Sequence, residues 1–576
     1  MSDAIMAKGN RTSTQAQVAH GSNDDADRFF ARALTSHRGG DIHKAVGDYT
    51  RAIAAQPDHA DALNNLGVAL RALGRDGEAA AVLRRAIQAR PRQADFHYNL
   101  GNALRGLGRR EEAVASYRSA LSCDPKSIQA LTNLGLLLRD LGRHEESVEA
   151  HADAARLDPA SAECLINLGS SLLDDGKPEA ALLALRRAAL LKPEYAAALY
   201  NQGLAHFNLG HLDEAIACHR AAIALKPDMA DAHANLGQAL VGLARFDDAM
   251  ACFDRATSLS PDNLDANLGR ARASLLAGRL KEGWEAYEWR WRRPNNPPRR
   301  FPQPIWDGSP LDGRRILLYP EQGLGDTIQF VRYAPKLAEL GARVVLECQP
   351  PLLRLFSGLP GVESIVSQGG ALPNFDVHLP FLSLPRILGT ELATIPAAVP
   401  YLPMPPAGPS VPAAPAGTRL RIGISWAGNP KHQNDRFRSC PLALFLDLAA
   451  IPGVALYSLQ VGPAAADIKR LGLGGLIPDL GAGFGDFAET AAAVTQLDLV
   501  IAVDTAIVHL AGALAWPTWV ILPQAPDWRW LEHGDRNPWY PTLRLWRQER
   551  LGDWPPVFAR MAAALGGLAE ARRHPS

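Results

Sequence analysis

What this chain of 576 residues lacks narrows the choices first. It has no charge of one sign in excess, with 60 Lys and Arg against 60 Asp and Glu, so its balance gives no argument for nucleic acid or an acidic membrane as partner. Its six cysteines, Cys123, Cys164, Cys218, Cys252, Cys348 and Cys440, fall without C-x-x-C or C…H ligand spacing. That predicts reduced thiols, with neither a disulfide framework nor a zinc site. Apolar runs are broken by Arg, Pro or Gly well short of a membrane span, and the polar start "MSDAIMAKGNRTSTQAQVAHGSNDD" lacks the apolar core of a signal peptide. The expectation is a cytoplasmic protein with a disordered start over residues 1–23.

What is present is a repeat. Asn-x-Gly recurs at Asn65, Asn99, Asn133, Asn167, Asn201 and Asn235, each 34 residues after the last, and Pro57, Pro91, Pro125, Pro159, Pro193, Pro227 and Pro261 keep the same step. In "ADALNNLGVALRALGRDGEAAAVLRRAIQARP" apolar residues fall at helical spacing on two segments that Gly74 separates and Pro91 closes, a helix–turn–helix unit. Gly67, Ala79 and Ala86 are small where two helices must approach. Trp284, Tyr287 and Trp291 lie at helical spacing before the prolines of 294–304, and are expected to dock the last unit on the neighbouring C-terminal region.

From residue 314 the period changes to alternating short apolar strands and helices: "RRILLYP", "ARVVLEC", "VESIV" and "FDVHL", then "RLRIGISWAG", "VALYSLQ", "LIPDL", "LDLVIAV" and "TWVILP", with a helix near 555–572. Two such series make two Rossmann-like halves, with a cleft expected between their strand ends. Three loops carry polar residues there. "YPEQGLGDTIQF" holds Gly323, Gly325 and Asp326, with a helix cap as the plain reading of Asp326. "SWAGNPKHQNDRFRSCP" holds Ser425, Asn429, Lys431, His432, Asn434, Asp435, Arg436 and Arg438. "VDTAIVHL" holds Asp504, Thr505, Ala506 and His509, where a strand feeding a helix start would suit an anion. Asp486 and Glu489 in "DFAETAAAV" read as a capping box. Trp528, Trp530, Trp539 and Tyr540 supply either a stacking wall or the packing of a flap.

The first half resembles the tetratricopeptide repeat over residues 24–293, which implies a right-handed superhelix with the six asparagines lining a concave groove. An amide offers donor and acceptor together, so the ladder is expected to hold an extended peptide backbone. The second half resembles the heptosyltransferase-type glycosyltransferases of GT-B fold: Gly325-Asp326 matches their first-helix Gly-Asp, Arg438 before Pro441 their basic residue, and Asp504, Thr505 and His509 their Asp-Thr/Ser-Gly-x-x-His, with Ala506 in place of Gly. The domain order is similar to that of the O-linked N-acetylglucosamine transferases and the bacterial flagellin glycosyltransferases.

The whole therefore reads as an all-α tetratricopeptide superhelix followed by an α/β GT-B fold: repeats at 24–293, a linker at 294–311, one Rossmann-like half at 312–395, a Pro/Ala-rich linker at 396–418 and a nucleotide-sugar-binding half at 419–576. The function these resemblances imply is a metal-independent glycosyltransferase moving sugar from a nucleotide donor to Ser or Thr of a protein acceptor such as flagellin. Asp326 would be the base, with Asp435 or His432 next. Gly323 and Gly325 would form a glycine loop, and Ser425, Asn429, Arg438, Asp504, Thr505, Ala506 and His509 would hold the donor. Asn65, Asn99, Asn133, Asn167, Asn201 and Asn235 would hold the acceptor. No cofactor, metal or nucleic acid is expected. The alternatives are an interaction scaffold with an inactive transferase domain, or an enzyme like the lipopolysaccharide heptosyltransferases.

Overall fold

The computed structural model describes residues 9–293, 297–405, 408–430 and 435–572, with side chains from residue 24. Contacts divide the chain into two compact units, Met1–Pro227 and Asp228–Ser576.

The first unit is built of helix–turn–helix hairpins, from Gly9–Arg38 with Ile42–Ala55 to Ala196–Leu209 with Leu212–Leu225. Its backbone is helical from Gly9, where a disordered start is expected from sequence; residues 1–8 lie outside the described residues. Each hairpin turns at a left-handed glycine, Gly40, Gly74, Gly108, Gly142, Gly176 and Gly210, with φ between 71° and 82°, a region closed to most side chains. Inside each hairpin the glycine of Asn-x-Gly lets a side chain of the second helix press onto backbone: Leu83 on Gly67, Tyr117 on Gly101, His151 on Gly135, Leu185 on Gly169 and His219 on Gly203. The 34-residue step is therefore a packing period.

The second unit opens with more repeat hairpins, Ala230–Gly242 with Phe246–Leu259 and Leu264–Leu276 with Leu280–Tyr287. Two parallel sheets come next. The first comprises β1 (Arg315–Tyr319), β2 (Arg343–Cys348), β3 (Val362–Ser367) and β4 (Val377–Pro380); the second comprises β5 (Leu420–Ser425), β6 (Val454–Ser458), β7 (Leu499–Val503), β8 (Thr518–Leu522) and β9 (Leu543–Arg547). Their orders are β3-β2-β1-β4 and β6-β5-β7-β8-β9. This is Rossmann-like architecture; the sheets alone do not carry the finer GT-B assignment. Two local expectations change. "LIPDL" makes only a single bridge, Asp479 to Ser458, because Pro478 has no N–H for a ladder. β9, unforeseen, alternates buried Leu543 and Leu545 with exposed Arg544.

The last hairpin is fastened to the sheets within this unit. Trp284 and Tyr287 are buried, and Trp284 meets Trp528 edge-on with ring centroids 5.0 Å apart and Phe330 at 6.2 Å. Trp291 is half-buried and lies under Arg290 instead. Arg290, itself buried, reaches Glu288, Glu321 and Ser383 at once.

Candidate functional site

In the repeats the six asparagines are all partly exposed. Within the first unit the amides of Asn99, Asn133 and Asn201 link one repeat to the next. Asn99 Nδ2 donates to Asn64 Oδ1 at 2.9 Å, Asn133 Nδ2 to the Tyr98 hydroxyl and Asn102 Oδ1 at 3.0 and 3.1 Å, and Asn201 Nδ2 to Ser170 Oγ at 2.9 Å. Asn65 Oδ1 accepts from Asn64. The Oδ1 atoms of Asn99, Asn133 and Asn201 accept no hydrogen bond among the described residues, so each amide is oriented by its donor side and keeps its acceptor side open. In the second unit Asn235 Nδ2 donates to the Asp231 carbonyl.

In the α/β region the strand-end residues turn inward. The helix Leu324–Phe330 follows β1 and Ala506–Ala513 follows β7, and the two starts touch. A Cβ on Gly325 would come within 2.8 Å of His509 Cδ2 and 3.4 Å of Ala506 Cα, so Gly325 admits the other helix. Asp326 accepts the Gly323 amide at 2.9 Å and is ion-paired with Arg529. Burial holds its carboxyl above the ordinary range although Arg529 pulls it down. Arg529 also donates to Asp527 at 2.7 Å and Gln329 at 2.8 Å.

The residues expected to hold the donor divide. Ser425 is buried and donates to Gln460 Oε1, which also accepts the Trp426 and Ala427 amides. Asn429 is exposed. Arg438 Nε donates to Asp435 at 3.1 Å. Asp504 is buried, and burial, with Asp527 adding repulsion, pushes its carboxyl up to about 6 against the pull of Arg438. Thr505 caps the helix start by position only, its buried Oγ1 without a hydrogen-bond partner among the described residues, and Ala506 is the first helical residue. His509 Nδ1 is hydrogen-bonded to the Tyr540 hydroxyl at 3.0 Å and the ring stacks on Trp530. Burial holds that imidazole well below its usual range, hence neutral at pH 7. Lys431, His432 and Asn434 lie outside the described residues.

The cluster therefore strings Asp435, Arg438, Asp504, Arg529, Asp326 and Asp527 together. Sequence reasoning missed Asp527 and Arg529, which stand among tryptophans in "APDWRWLE". It also missed Arg332, buried and stacked 4.5 Å from Tyr401 and 4.4 Å from Tyr540. Trp528, Trp530, Trp539 and Tyr540 are buried packing, and Asp486 caps its helix by accepting the Glu489 amide at 3.0 Å.

Tetratricopeptide-repeat models match residues 30–94, 98–162, 234–289 and 203–243, so the chain contains such repeats. Among curated proteins it is 30% identical over 334 residues to Protein FlbA of Caulobacter vibrioides, across 52% of this chain and 54% of that protein. The chain thus spans about half the length of the curated relative it matches. Similar solved structures include YrrB, a repeat protein described with an unusual peptide-binding site (27% identity, 32% of this chain and 96% of that one, TM-score 0.28), and MamA (30%, 29% and 92%, TM-score 0.27).

These findings overturn the glycosyltransferase expectation, and with it sugar transfer as the activity of the α/β region. The curated relative that matches is Protein FlbA; separately, no group of three His, Cys, Asp or Glu that could hold a metal ion is found among the described residues. A physical reason lies in the cluster itself, where Asp326 is paired with Arg529 and accepts a backbone amide. Among the described residues no helix is long and apolar enough to cross a membrane.

Proposed function

We propose that the protein is an interaction scaffold whose repeats hold an extended polypeptide and whose α/β region is a non-catalytic partner domain. The observation that carries this reading is the set of open acceptors at Asn99, Asn133 and Asn201, each held in place by its own Nδ2 bond to the preceding repeat. An acceptor oriented before binding takes a backbone N–H with little further ordering cost, and recognises main chain whatever the side chains.

Replacing Asn99, Asn133 and Asn201 together by Ala tests it on the full chain against an array of unstructured dodecapeptides. Binding by the wild type, its loss in the triple variant, and its loss when the peptide amides are N-methylated are the expected results. Equal binding by wild type and variant would reject the reading.

A further inference from the structure

A second ladder runs beside the asparagines. Arg71, Arg105 and Arg139 stand 34 residues apart in the last turn of successive first helices. Each belongs to a stripe at i, i+4 and i+7: Asn64, Val68, Arg71; Tyr98, Asn102, Arg105; Thr132, Leu136, Arg139. These stripes touch the asparagine ladder directly, because Asn64 accepts from Asn99, and Tyr98 and Asn102 accept from Asn133. Arg71 and Arg105 are exposed, and their guanidiniums make no hydrogen bond or ion pair among the described residues. Arg139 stands 3.4 Å from Asp174 with both side chains about a third exposed or more, a contact that another carboxylate displaces at little cost. The field of Arg105 and Arg71 reaches the network itself, opposing the burial that pushes the Tyr117 hydroxyl up to about 12.

Complementing the helix dipole does not account for the ladder, since the same position in the next two repeats holds Leu173 and Phe207. The acids of the first two helices, Asp61 and Asp95, sit at the opposite end, about 15 Å away at helical rise, and Asp61 is already paired with Arg90. We infer that this part of the repeat face takes an acidic extended peptide, its backbone on the asparagines and its carboxylates on Arg71, Arg105 and Arg139. The inference rests on the peptide-binding reading of the asparagine ladder. Neighbouring helix axes stand about 10 Å apart, which a chain in the extended polyproline II form covers in one turn of three residues at about 3.1 Å each, with every third side chain on the same side, so an acid at every third position fits the spacing.

The test uses fluorescein-labelled peptides of Glu-Ala-Ser repeated four times and the matching Gln and Lys peptides, with the full chain, read by anisotropy. The acidic peptide should bind at least about tenfold tighter than the Gln peptide and weaken as salt rises. An Arg71→Gln, Arg105→Gln double variant should lose most of that preference at an unchanged melting temperature. Equal binding of all three peptides, or an unchanged double variant, would overturn the arginine ladder while leaving the asparagine reading intact if the triple Ala variant loses every peptide. No binding by any peptide would remove both.

Discussion

Asp326 and Arg529, 203 residues apart in the chain, form an ion pair that ties the helix after β1 to the loop after β8. Both side chains are mostly buried, so the pair behaves as a fastener between the two sheets' helices. Breaking a buried pair from one side costs about 3–5 kcal/mol. Asp326→Ala should fall at the low end, near 3 kcal/mol, because Arg529 keeps Asp527. Arg529→Ala should cost more, because it strands two carboxylates together. The double variant should cost less than the two singles combined, by about 1–3 kcal/mol in urea denaturation. Strict additivity would mean that the two side chains do not interact.

The neighbouring glycines separate packing from ligand access. Gly325→Ala places a methyl against His509 and Ala506, and overpacking of this kind costs about 1–3 kcal/mol. Gly323 has φ −70° and, at 3.4 Å, only the Asp326 carboxylate near a new Cβ, so Gly323→Ala should be close to neutral. Equal melting points for the two variants would refute the contact between the helix starts.

These glycines also mark where sequence stopped being informative. Close approach to a ligand and close approach to another helix demand the same missing Cβ, so "GLGD" reads identically for both. Ser425 misled in the same way: its Gln460 partner lies 35 residues on, beyond any local pattern. By contrast the 34-residue step and the Asp486 cap were legible because each is enforced by contacts within one turn or one repeat, and the eight strand runs that formed because burial of a parallel sheet on both faces leaves a continuous apolar run in the sequence. β9 carried its own alternation of Leu and Arg but was hidden behind a Trp-rich stretch. The enzyme reading rested on a handful of matched positions, of which Asp326 is paired with Arg529, Arg438 with Asp435 and His509 with Tyr540.

His219 offers a test of the repeat core. It is wholly buried with neither ring nitrogen hydrogen-bonded among the described residues, and burial lowers its pKa to about 4. The unfolded chain, near 6.5, binds the proton first. His219 therefore withdraws stability as pH falls from about 6.5 toward 4. The equivalent position in the repeats is Leu185 before it and Phe253 after it, each pressed on its own glycine. His219→Phe should stabilise at neutral pH by about 1–2 kcal/mol, since unsatisfied buried groups cost about that, and the gain should widen on acidification. A gain that stays constant from pH 7 to 4.5 would show that His219 does not titrate as a buried neutral ring.

The fastening of the last hairpin to the sheets should titrate with the opposite sign. Arg290 is shared between Glu288, at 2.6 Å, and Glu321, at 3.1 Å, and both Arg290 and Glu321 are almost fully buried. Burial outweighs the half-share of Arg290 that Glu321 receives and pushes its carboxyl up to about 7. A folded-state value above the unfolded one means that the carboxyl's contribution is whole below about 4.5 and is lost as pH rises through about 7. Glu321→Gln keeps the shape and removes the titration, so its stability relative to wild type should rise between pH 5 and 8. Arg290→Met leaves two carboxylates facing each other without a cation, and should cost about 3–5 kcal/mol at pH 8 but markedly less at pH 5, where Glu321 takes a proton. The pH dependence of the difference is the decisive readout, because lost packing alone would lower stability equally at both pH values. A pH-independent loss in Arg290→Met would assign the seam to the contacts of Trp284 and Tyr287 and leave the buried charges without a part in it.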